Sequence, residues 1–403
     1  MPEPPTTTSA GWVGSREQEE SRKKGRRVDL RAVVLIGGKG TRLRPLTYTV
    51  PKAMVTLRNK PYIQYMVDFL RAAGLEGAVL SMGYLPHPIR EHFAEQGLDG
   101  FTLEYVLESS PLGTAGGIKN AQEQLGGGEG PFVATNGDVL TGLDLAEVIE
   151  AHQSSDALAT ITLTPVEDPT AYGLVEVDHR LWVKRFVEKP ISDEVRTSLI
   201  NAGIYVLERE VLEMIPEGRE VSIEREVFPE LQAAGRLRAY ISSAYWRDIG
   251  TPRSYLTASH DVLSGAIGRE TGGLNQEGFS YMSVERSAEI SRDVALLPPV
   301  CVAEACKVEA GATIGSRTSL GKGCLIEKGA MVEGSILFEG VRVGEGAVIR
   351  NAIVGPGATV GKGSIVRGLS VLGAGCVVGE GNVLDQGARV NPGARLPEGV
   401  LSF

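Results

Sequence analysis

Residues able to bind phosphate are concentrated near the start of the chain. The run of five aliphatic residues Ala32–Ile36 is typical of a strand buried on both faces, and three glycines follow it within Gly37–Gly40. Because glycine has no Cβ atom, its backbone N–H groups can approach a ligand closely, and successive exposed N–H groups form a site for anions. Arg42 and Lys52 add two cations to this region. The stretch therefore predicts a phosphate-binding loop at the end of a buried strand.

A carboxylate follows another predicted strand. Residues 132–135 are apolar or β-branched, and Asn136-Gly137-Asp138 comes directly after them. Mg²⁺ in proteins usually takes one or two carboxylates together with phosphate oxygens of the substrate. Asp138, at a strand end opposite a phosphate loop, is therefore a predicted Mg²⁺ ligand.

Two common glycine-rich patterns do not fit the loop. The P-loop pattern G-x-x-x-x-G-K-[ST] does not occur at these glycines. The dinucleotide pattern G-x-G-x-x-G fails because its third glycine would fall on Leu43. Phosphate binding here must use another arrangement of the backbone.

The elements that position these residues alternate between strand and helix. The predicted order after the first strand is helix 61–73, strand 78–82, helix 88–95, strand 102–107, helix 116–125 and strand 132–135. Short links between such elements predict crossover units on a mostly parallel sheet, which is an α/β fold. Ligands of these sheets bind beyond the carboxyl ends of the strands, where the motifs fall. Residues 157–245 are rich in further strand patterns.

The last part of the chain is repetitive. From Ile290 onward aliphatic residues recur every six positions, with five-residue steps from Phe338 to Val343 and from Ile349 to Val354. This is the hexapeptide pattern of a left-handed parallel β-helix, in which stacked coils form a core that one repeat cannot form alone; about six coils fit. All five histidines precede the repeats, so a histidine-dependent acyl transfer is not expected there. We expect the repeats to serve assembly or regulation, and the chain to be a homo-oligomer.

Length and composition limit the possible classes of protein. The chain has 403 residues, of which 42% are hydrophobic, so two domains are expected. Its net charge of −9 argues against a nucleic-acid partner. The sequence has no apolar run long enough to cross a membrane. The four cysteines show no metal-binding spacing and are expected to be buried thiols of a cytoplasmic protein.

The motifs resemble those of a known family. From Gly37 to Lys52 the chain matches, almost residue for residue, the G-G-x-G-T-R-L-x-P-L-T…P-K signature of the sugar-1-phosphate nucleotidylyltransferases. Ala53 stands where that family commonly has a second proline. P-L-G-T-A-G at 111–116, E-K-P at 188–190 and W-x-D-I-G-T-P at 246–252 resemble further family elements. The resemblance implies a Rossmann-like unit with a mixed or parallel sheet, followed by the left-handed β-helix.

The resemblance also implies a role for each of several residues. Arg42, Lys52 and Lys189 are expected to be catalytic, acting on the leaving phosphates, the α-phosphate region and the sugar phosphate respectively. Asp138 and Asp248 are expected to hold Mg²⁺. The nucleotide is expected to contact Ile36, Gly37, Gly38, Gly40, Thr41, Gly113, Thr114 and Asn136. The sugar is expected to contact Gly173, Glu188 and Asn201.

One segment points to the substrates within this family. Ser222–Pro229, S-I-E-R-E-V-F-P, resembles a segment typical of the guanylyl-transferring members, which implies GTP and mannose 1-phosphate as substrates. By its residues alone it is only the start of an amphipathic helix with a serine cap and an acidic first turn. Thymidylyl, uridylyl or adenylyl transfer to glucose 1-phosphate stays open. A non-catalytic regulatory subunit of this architecture is a further alternative, against which the intact charged residues argue.

The predicted organisation has four parts. A disordered tail spans residues 1–27, and the nucleotidyltransferase domain spans 28–265. A linker is predicted at 266–289 and the β-helix at 290–403.

Overall fold

The computed structural model describes residues 30–83, 86–98, 100–128, 130–188, 195–267 and 280–399. The predicted tail lies outside these ranges, as do residues 268–279 of the predicted linker. The described chain forms an α/β unit followed by three stacked parallel sheets, the arrangement of a left-handed β-helix. Both parts of the predicted fold are confirmed.

The α/β unit is built on a nine-stranded mixed sheet. The strands of this unit are β1 Arg31–Leu35, β2 Thr56–Leu57, β3 Lys60–Pro61, β4 Gly77–Met82, β5 Thr102–Leu107, β6 Phe132–Asn136, β7 Val139–Thr141, β8 Ala159–Pro165, β9 Gly173–Val177, β10 Val183–Glu188, β11 Leu199–Leu207, β12 Leu237–Ile241 and β13 Trp246–Asp248. Their order is β10-β9-β11-β6-β1-β4-β5, with β8 between β11 and β12. The central strand β1 pairs in parallel with β4 and β6, whereas β11 is antiparallel to β6. Two further pairs, β2–β3 and β7–β13, form separate small sheets.

Helices cover both faces of this sheet. They are α1 Tyr62–Ala72, α2 His87–Gln96, α3 Gly113–Asn120, α4 Leu145–Gln153, α5 Glu210–Glu213, α6 Phe228–Ala233 and α7 Pro252–Leu263, with a π-helical turn at Ile223–Val227. Alternate residues of β1 belong to different cores: Ala32 and Val34 pack on one side of the sheet and Val33 on the other. The first strand is therefore buried on both faces, as predicted.

Most predicted elements of this unit agree with the structure to within one residue at each end. The exception is the helix predicted at 116–125, which spans Gly113–Asn120. It begins earlier because the N–H groups of Ala115 and Gly116 bond to the carbonyl of Val221, which supports the first turn within the loop.

Three parallel sheets form the faces of the β-helix. The first face comprises Met282–Val284, Val300–Val302, Thr318–Leu320, Ile336–Leu337, Ile353–Val354, Val371–Leu372 and Arg389–Val390. The second comprises Glu289–Ile290, Lys307–Val308, Leu325–Ile326, Arg342–Val343, Thr359–Val360, Val377–Val378 and Arg395–Leu396. The third comprises Ala295–Leu296, Thr313–Ile314, Met331–Glu333, Val348–Arg350, Ile365–Arg367 and Val383–Leu384.

The repeats differ from the predicted pattern in two places. The β-helix already includes the strand Met282–Val284, inside the predicted linker. Val284 lies six residues before Ile290, so the same six-residue period extends back to this strand. Phe338 was placed in the aliphatic series, but Leu337 fills that position and pairs with Leu320 and Val354. Phe338 instead joins a core of the α/β unit, because the coil there is one residue shorter than its neighbours.

The first face of the β-helix packs against the α/β unit. Its outward residues Ile336, Ile353 and Val371 belong to the same apolar cluster as helices α1 and α7. All four cysteines are buried free thiols, as predicted. Within the described ranges, no helix is both long and apolar enough to cross a membrane.

Candidate functional site

The glycine loop starts where β1 ends, at the centre of the sheet. Ile36 continues the pairing of the strand, since its N–H bonds to the Ser81 carbonyl at 2.9 Å. Gly40 has a φ of 59°, and its carbonyl accepts a hydrogen bond of 2.7 Å from the Thr47 hydroxyl. A Cβ at position 40 would lie 3.0 Å from the Thr47 methyl group. The loop is a tight turn that requires glycine, as its sequence predicts.

The Asn136-Gly137-Asp138 motif lies directly beside this loop. The N–H of Gly137 bonds to the carbonyl of Leu35 at 2.8 Å. A Cβ on Gly137 would lie only 2.1 Å from the Ile36 side chain. Glycine between Asn136 and Asp138 is therefore what allows β6 and β1 to end together.

The predicted cations of the site pair with its predicted carboxylates. Lys52 Nζ lies 2.5 Å from Asp138 Oδ2, and Arg42 Nη2 lies 3.8 Å from Asp248 Oδ2. The Lys52 side chain is only 14% exposed, whereas that of Arg42 is 63% exposed and lies over Gly250. The less exposed pair has the stronger Coulomb attraction. The site thus contains a mostly buried lysine, Lys52, and an exposed arginine, Arg42.

A two-stranded sheet brings the backbones of Asp138 and Asp248 together. β13 runs antiparallel to β7, with Asp248 opposite Val139, and the N–H of Ile249 donates to the Asp138 carbonyl at 3.0 Å. Beneath this sheet, the Tyr62 hydroxyl donates to the carbonyl of Val139. Burial first, and then the nearby charge of Asp138, raise the pKa of Tyr62 well above its ordinary value. Tyr62 therefore stays a neutral donor that supports β7.

Asp138 and Asp248 suit a hard divalent cation. Among the residues that the structure describes, no group of three or more His, Cys, Asp or Glu side chains is arranged to hold a metal ion. Mg²⁺ needs only one or two protein carboxylates when substrate phosphates and water complete its shell. The carboxylate pair fits that requirement.

The loop at 111–117 is supported from behind by the segment that follows α5. Gly113 has a φ of 71°, and a Cβ there would lie 2.6 Å from the Val221 carbonyl oxygen. The Thr114 hydroxyl donates to Glu224 Oε2 at 2.7 Å and accepts from the N–H of Ile223 at 2.8 Å. Val221 thus explains the glycine at position 113. Contact of Gly113 and Thr114 with a nucleotide stays a prediction.

The sequence analysis overlooked Glu108, which lies between the two glycine-rich loops. Its Oε1 accepts a hydrogen bond of 2.8 Å from the Ser81 hydroxyl. A Cβ on Gly37 would lie 3.0 Å from either carboxylate oxygen, and one on Gly117 would lie 3.1 Å from Oε1. Glu108 directly follows β5, so a carboxylate at the end of a parallel strand was the signal that could have found it.

The predicted sugar-binding residues lie on neighbouring strands. Gly173 begins β9 and pairs with the backbone of Glu188 in β10. Asn201, on β11, donates from Nδ2 to the Tyr205 hydroxyl at 2.9 Å and accepts from the N–H of Gly203 at 3.0 Å. Lys189 and the side chain of Glu188 lie outside the described part of the chain, so their roles stay predictions.

Two aromatic residues near Asp248 are further candidates. The rings of Tyr172 and Trp246 pack edge to face with their centroids 5.4 Å apart, and Trp246 Nε1 donates to the Ala202 carbonyl at 2.9 Å. Burial and then the charge of Asp248 raise the pKa of Tyr172. These two rings lie near Asp248 and are a surface on which a sugar ring could pack.

One cleft of about 390 Å³ is lined by half of the predicted site residues. Those that line it are Ile36, Gly37, Gly38, Lys52, Gly113, Thr114, Asn136 and Asp138. Arg42 and Asp248 pair with each other next to it, and Gly40 and Thr41 shape its glycine loop. Gly173 and Asn201 do not line this cleft. Its volume lies in the range of small-molecule sites.

Two family models match the chain. The model described as Nucleotidyl transferase matches residues 31–265, and the model described as GMPPB C-terminal domain matches residues 296–401. The boundary between the two matches lies close to the beginning of the β-helix.

Two curated relatives match the chain over different lengths. The chain is 44% identical over 236 residues to "Mannose-1-phosphate guanylyltransferase" of Mycobacterium tuberculosis, an alignment that covers 58% of this chain and 65% of that protein. It is 36% identical over 298 residues to "Probable mannose-1-phosphate guanylyltransferase 3" of Oryza sativa subsp. japonica, covering 72% and 81%. The match to the mycobacterial protein thus spans a little less than two thirds of its length.

A solved structure is similar to the α/β unit. HddC from Yersinia pseudotuberculosis, in a crystal structure described as complexed with GMP-PN, is 30% identical with a TM-score of 0.50. The match covers 58% of this chain and 99% of that one.

Proposed function

The chain belongs to the nucleotidyl transferase family, and we propose that it is a mannose-1-phosphate guanylyltransferase. It would transfer GMP from GTP to mannose 1-phosphate and release pyrophosphate. The observation that carries this proposal is the placement of two cation–carboxylate pairs, Lys52–Asp138 and Arg42–Asp248, at the end of a glycine loop. The names of the curated relatives and the guanine nucleotide named with HddC support the choice of substrates.

The chemistry requires charge stabilisation and positioning rather than a general base. A phosphate oxygen of mannose 1-phosphate is already ionised at neutral pH and can attack the α-phosphorus of GTP in line. Lys52, which lines the cleft, would bind the α-phosphate region, and the more exposed guanidinium of Arg42 would stabilise the charge that develops on pyrophosphate. Lys189 would bind the sugar phosphate.

Asp138 and Asp248 would hold Mg²⁺. Both residues lie near the glycine loop and each pairs with a cationic side chain, Lys52 or Arg42, which supports a role of these carboxylates in binding positive charge. The ion, when bound, would supply positive charge to the phosphate oxygens.

Glu108 supports guanine as the base. A carboxylate accepts hydrogen bonds only. The Watson–Crick edge of guanine offers two adjacent donors, N1–H and the N2 amino group, whereas adenine, uracil and thymine offer one donor beside acceptors. Glu108 lines the cleft between the loops at 37–40 and 111–117. Its Oε1 accepts from the Ser81 hydroxyl and its Oε2 from the N–H of Leu112 at 3.4 Å, so each oxygen would keep one lone pair for a donor of guanine. We therefore propose that Glu108 recognises the base.

A substrate matrix tests the proposed function. Pyrophosphate release is measured with GTP, ATP, UTP and dTTP, each against mannose 1-phosphate and glucose 1-phosphate, in the presence of Mg²⁺. GTP with mannose 1-phosphate is expected to give the highest kcat/KM. Glu108→Gln is expected to lower kcat/KM for GTP by roughly tenfold or more, because the amino group of the amide would face an N–H donor of guanine.

Glu123→Gln is the matched control, because Glu123 is exposed on the turn after α3. A higher kcat/KM with another pair of substrates would assign a different nucleotidylyltransferase activity. No turnover with any pair would contradict the proposal altogether.

A further inference from the structure

Glu224 is a carboxylate that joins three structural elements. Its Oε2 accepts hydrogen bonds of 2.7 Å from the hydroxyls of Thr114 and Ser222, and its Oε1 accepts one of 3.4 Å from the hydroxyl of Tyr205. Thr114 belongs to the loop at 111–117, Ser222 precedes the π-helical turn and Tyr205 lies in β11. A single side chain therefore connects the nucleotide loop, the segment singled out for substrate choice and the central sheet.

The backbone reinforces the link to the nucleotide loop. The N–H of Val221 donates to the Leu112 carbonyl at 2.8 Å, and the Val221 carbonyl accepts from the N–H of Ala115 at 2.9 Å. The N–H of Ile223 donates to the Thr114 hydroxyl at 2.8 Å. Residues 221–224 thus support the loop like an adjacent strand, and Glu224 holds its only threonine.

The other end of the network reaches the predicted sugar side. The Tyr205 hydroxyl accepts from Asn201 Nδ2 at 2.9 Å, and the Tyr205 ring packs edge to face on Phe228 with centroids 5.1 Å apart. Asn201 in turn accepts from the N–H of Gly203. A Cβ on Gly203 would lie 2.6 Å from Asn136, so this stretch of β11 also packs against the cleft.

We propose that Glu224 is a positioning residue that holds the nucleotide loop through Thr114 and the sugar side through Tyr205 and Asn201, so that both substrates depend on one carboxylate. This inference rests on the proposed nucleotidyl transfer. It also gives the segment Ser222–Pro229 a physical role. The segment positions the nucleotide by supporting the loop at 111–117 and does not contact the base itself.

The chemistry of the three donors explains why this position needs a carboxylate. All three partners are hydroxyls that donate, and a carboxylate offers acceptors on both oxygens. An amide has one oxygen. In Glu224→Gln that oxygen can keep the bonds to Thr114 and Ser222, and the amino group then faces the Tyr205 hydroxyl. The amide therefore preserves the nucleotide-side connection, whereas on the sugar side the Tyr205 hydroxyl can no longer donate to residue 224 and must turn to accept from the amide.

Separate variants test the two connections. KM for GTP and KM for mannose 1-phosphate are measured for the full chain, together with kcat and the melting temperature. Thr114→Val is expected to raise mainly KM for GTP, whereas Tyr205→Phe and Glu224→Gln are expected to raise mainly KM for mannose 1-phosphate. Glu224→Ala is expected to raise both by roughly tenfold or more, the factor for losing a hydrogen bond to a charged group. Glu230→Gln, an exposed carboxylate on α6, is the matched control.

The readouts separate positioning from a purely structural role. A lower melting temperature with both KM values unchanged in Glu224→Ala would overturn the proposal, as would equal effects of Thr114→Val and Tyr205→Phe on the two KM values. If the wild-type chain prefers another nucleotide or sugar phosphate, both KM values are measured with those substrates. The test of Glu224 as a positioning residue is then independent of whether the chain prefers GTP.

Discussion

At the scale of single residues, exposure separates the roles of the two cations. Lys52 is nearly buried against Asp138, whereas Arg42 reaches Asp248 across 3.8 Å at the surface of the site. A long, exposed side chain can follow a leaving group, while a buried one fixes the position of a bound phosphate. Loss of Arg42 should therefore affect kcat more strongly than it affects the affinity for the substrates.

Replacing Arg42 by alanine removes the group proposed to stabilise pyrophosphate. Arg42→Ala is expected to lower kcat by roughly 10²–10³, the usual cost of losing one electrostatic donor to the transition state. Steady-state kinetics measures this, with the exposed Arg253→Ala as the control. Wild-type turnover in Arg42→Ala would contradict the assignment.

The two carboxylates should share one metal ion. Asp138→Asn and Asp248→Asn are each expected to weaken Mg²⁺ binding, and added Mg²⁺ should partly restore activity, because one ligand of the pair remains in each variant. Titrating Mg²⁺ against turnover measures the shift in the concentration of half-maximal activity. An unchanged Mg²⁺ dependence in both variants would mean that these carboxylates do not bind the ion.

At the scale of elements, the site depends on close contacts between segments distant in sequence. The sheet of β7 and β13 brings Asp248 to Asp138, and the stretch at 221–224 supports the loop at 111–117. Glycine is required where backbones meet, at Gly113 against Val221 and at Gly137 against the end of β1. These glycines set how closely the elements approach one another.

Gly113→Ala tests such a contact against a control with the same backbone strain. Gly113 and Gly126 have φ values of 71° and 72°, but a Cβ meets the Val221 carbonyl at 113 and nothing within 4 Å at 126. Gly126→Ala is expected to lose about 1–2 kcal/mol of stability from the left-handed backbone alone. Gly113→Ala should lose more and also raise KM for GTP. Denaturant unfolding and kinetics measure both, and equal losses would show that the contact with Val221 is unimportant.

At the scale of the whole molecule, the three faces of the β-helix differ in what covers them. The first face packs on the α/β unit through Ile336, Ile353 and Val371. Polar contacts lie along it, from Asn59 Nδ2 to the Leu320 carbonyl, from His260 Nε2 to the Gly334 carbonyl and from Arg389 to the Arg44 carbonyl. The β-helix is thus attached to the α/β unit as far as Arg44, beside the glycine loop.

The other two faces differ in outward chemistry. The second face carries charged outward side chains on four of its strands, namely Glu289, Lys307, Arg342 and Arg395. On the third face, the last residues of the three longer strands, Glu333, Arg350 and Arg367, are charged and form the ion pairs Arg350–Glu333 and Arg367–Asp385. The outward side chain that begins each strand of this face is uncharged, and from Thr313 onward this row is half-buried: Ala295, Thr313, Met331, Val348, Ile365 and Val383. Apolar patches of this kind commonly pack against another subunit. We propose that the chain forms a homo-oligomer through the third face.

Charged substitutions on this face test self-association. The full chain is expected to be a dimer or larger, and Val348→Asp combined with Ile365→Asp is expected to give monomers, because the buried charges would lack partners. Thr359→Asp with Val377→Asp, at half-buried positions of the second face, is the matched control. Light scattering measures the mass. A monomeric full chain, or a double variant that keeps the subunit number, would rule out this interface.

The sequence determined the features that depend on short spacings. The glycine loop after β1, the strand end at Asp138 and the six-residue period of the coils were predictable, because side-chain periodicity and glycine spacing act within a few residues. The meeting of the glycine loop with the stretch that carries Asp138 was also predictable, since β1 and β6 are parallel and end at a common edge.

Contacts between segments far apart in the chain were decided by the tertiary structure alone. No local pattern distinguishes Leu337 from Phe338 as the residue that enters the β-helix core, because the shorter coil shifts which residue pairs with Leu320. The placement of Glu108 against Gly37, and of Glu224 among three hydroxyls, depends on partners up to 110 residues away. Such pairs form only when strand register and loop packing are set, and register is fixed by the burial of whole faces rather than by neighbours in sequence.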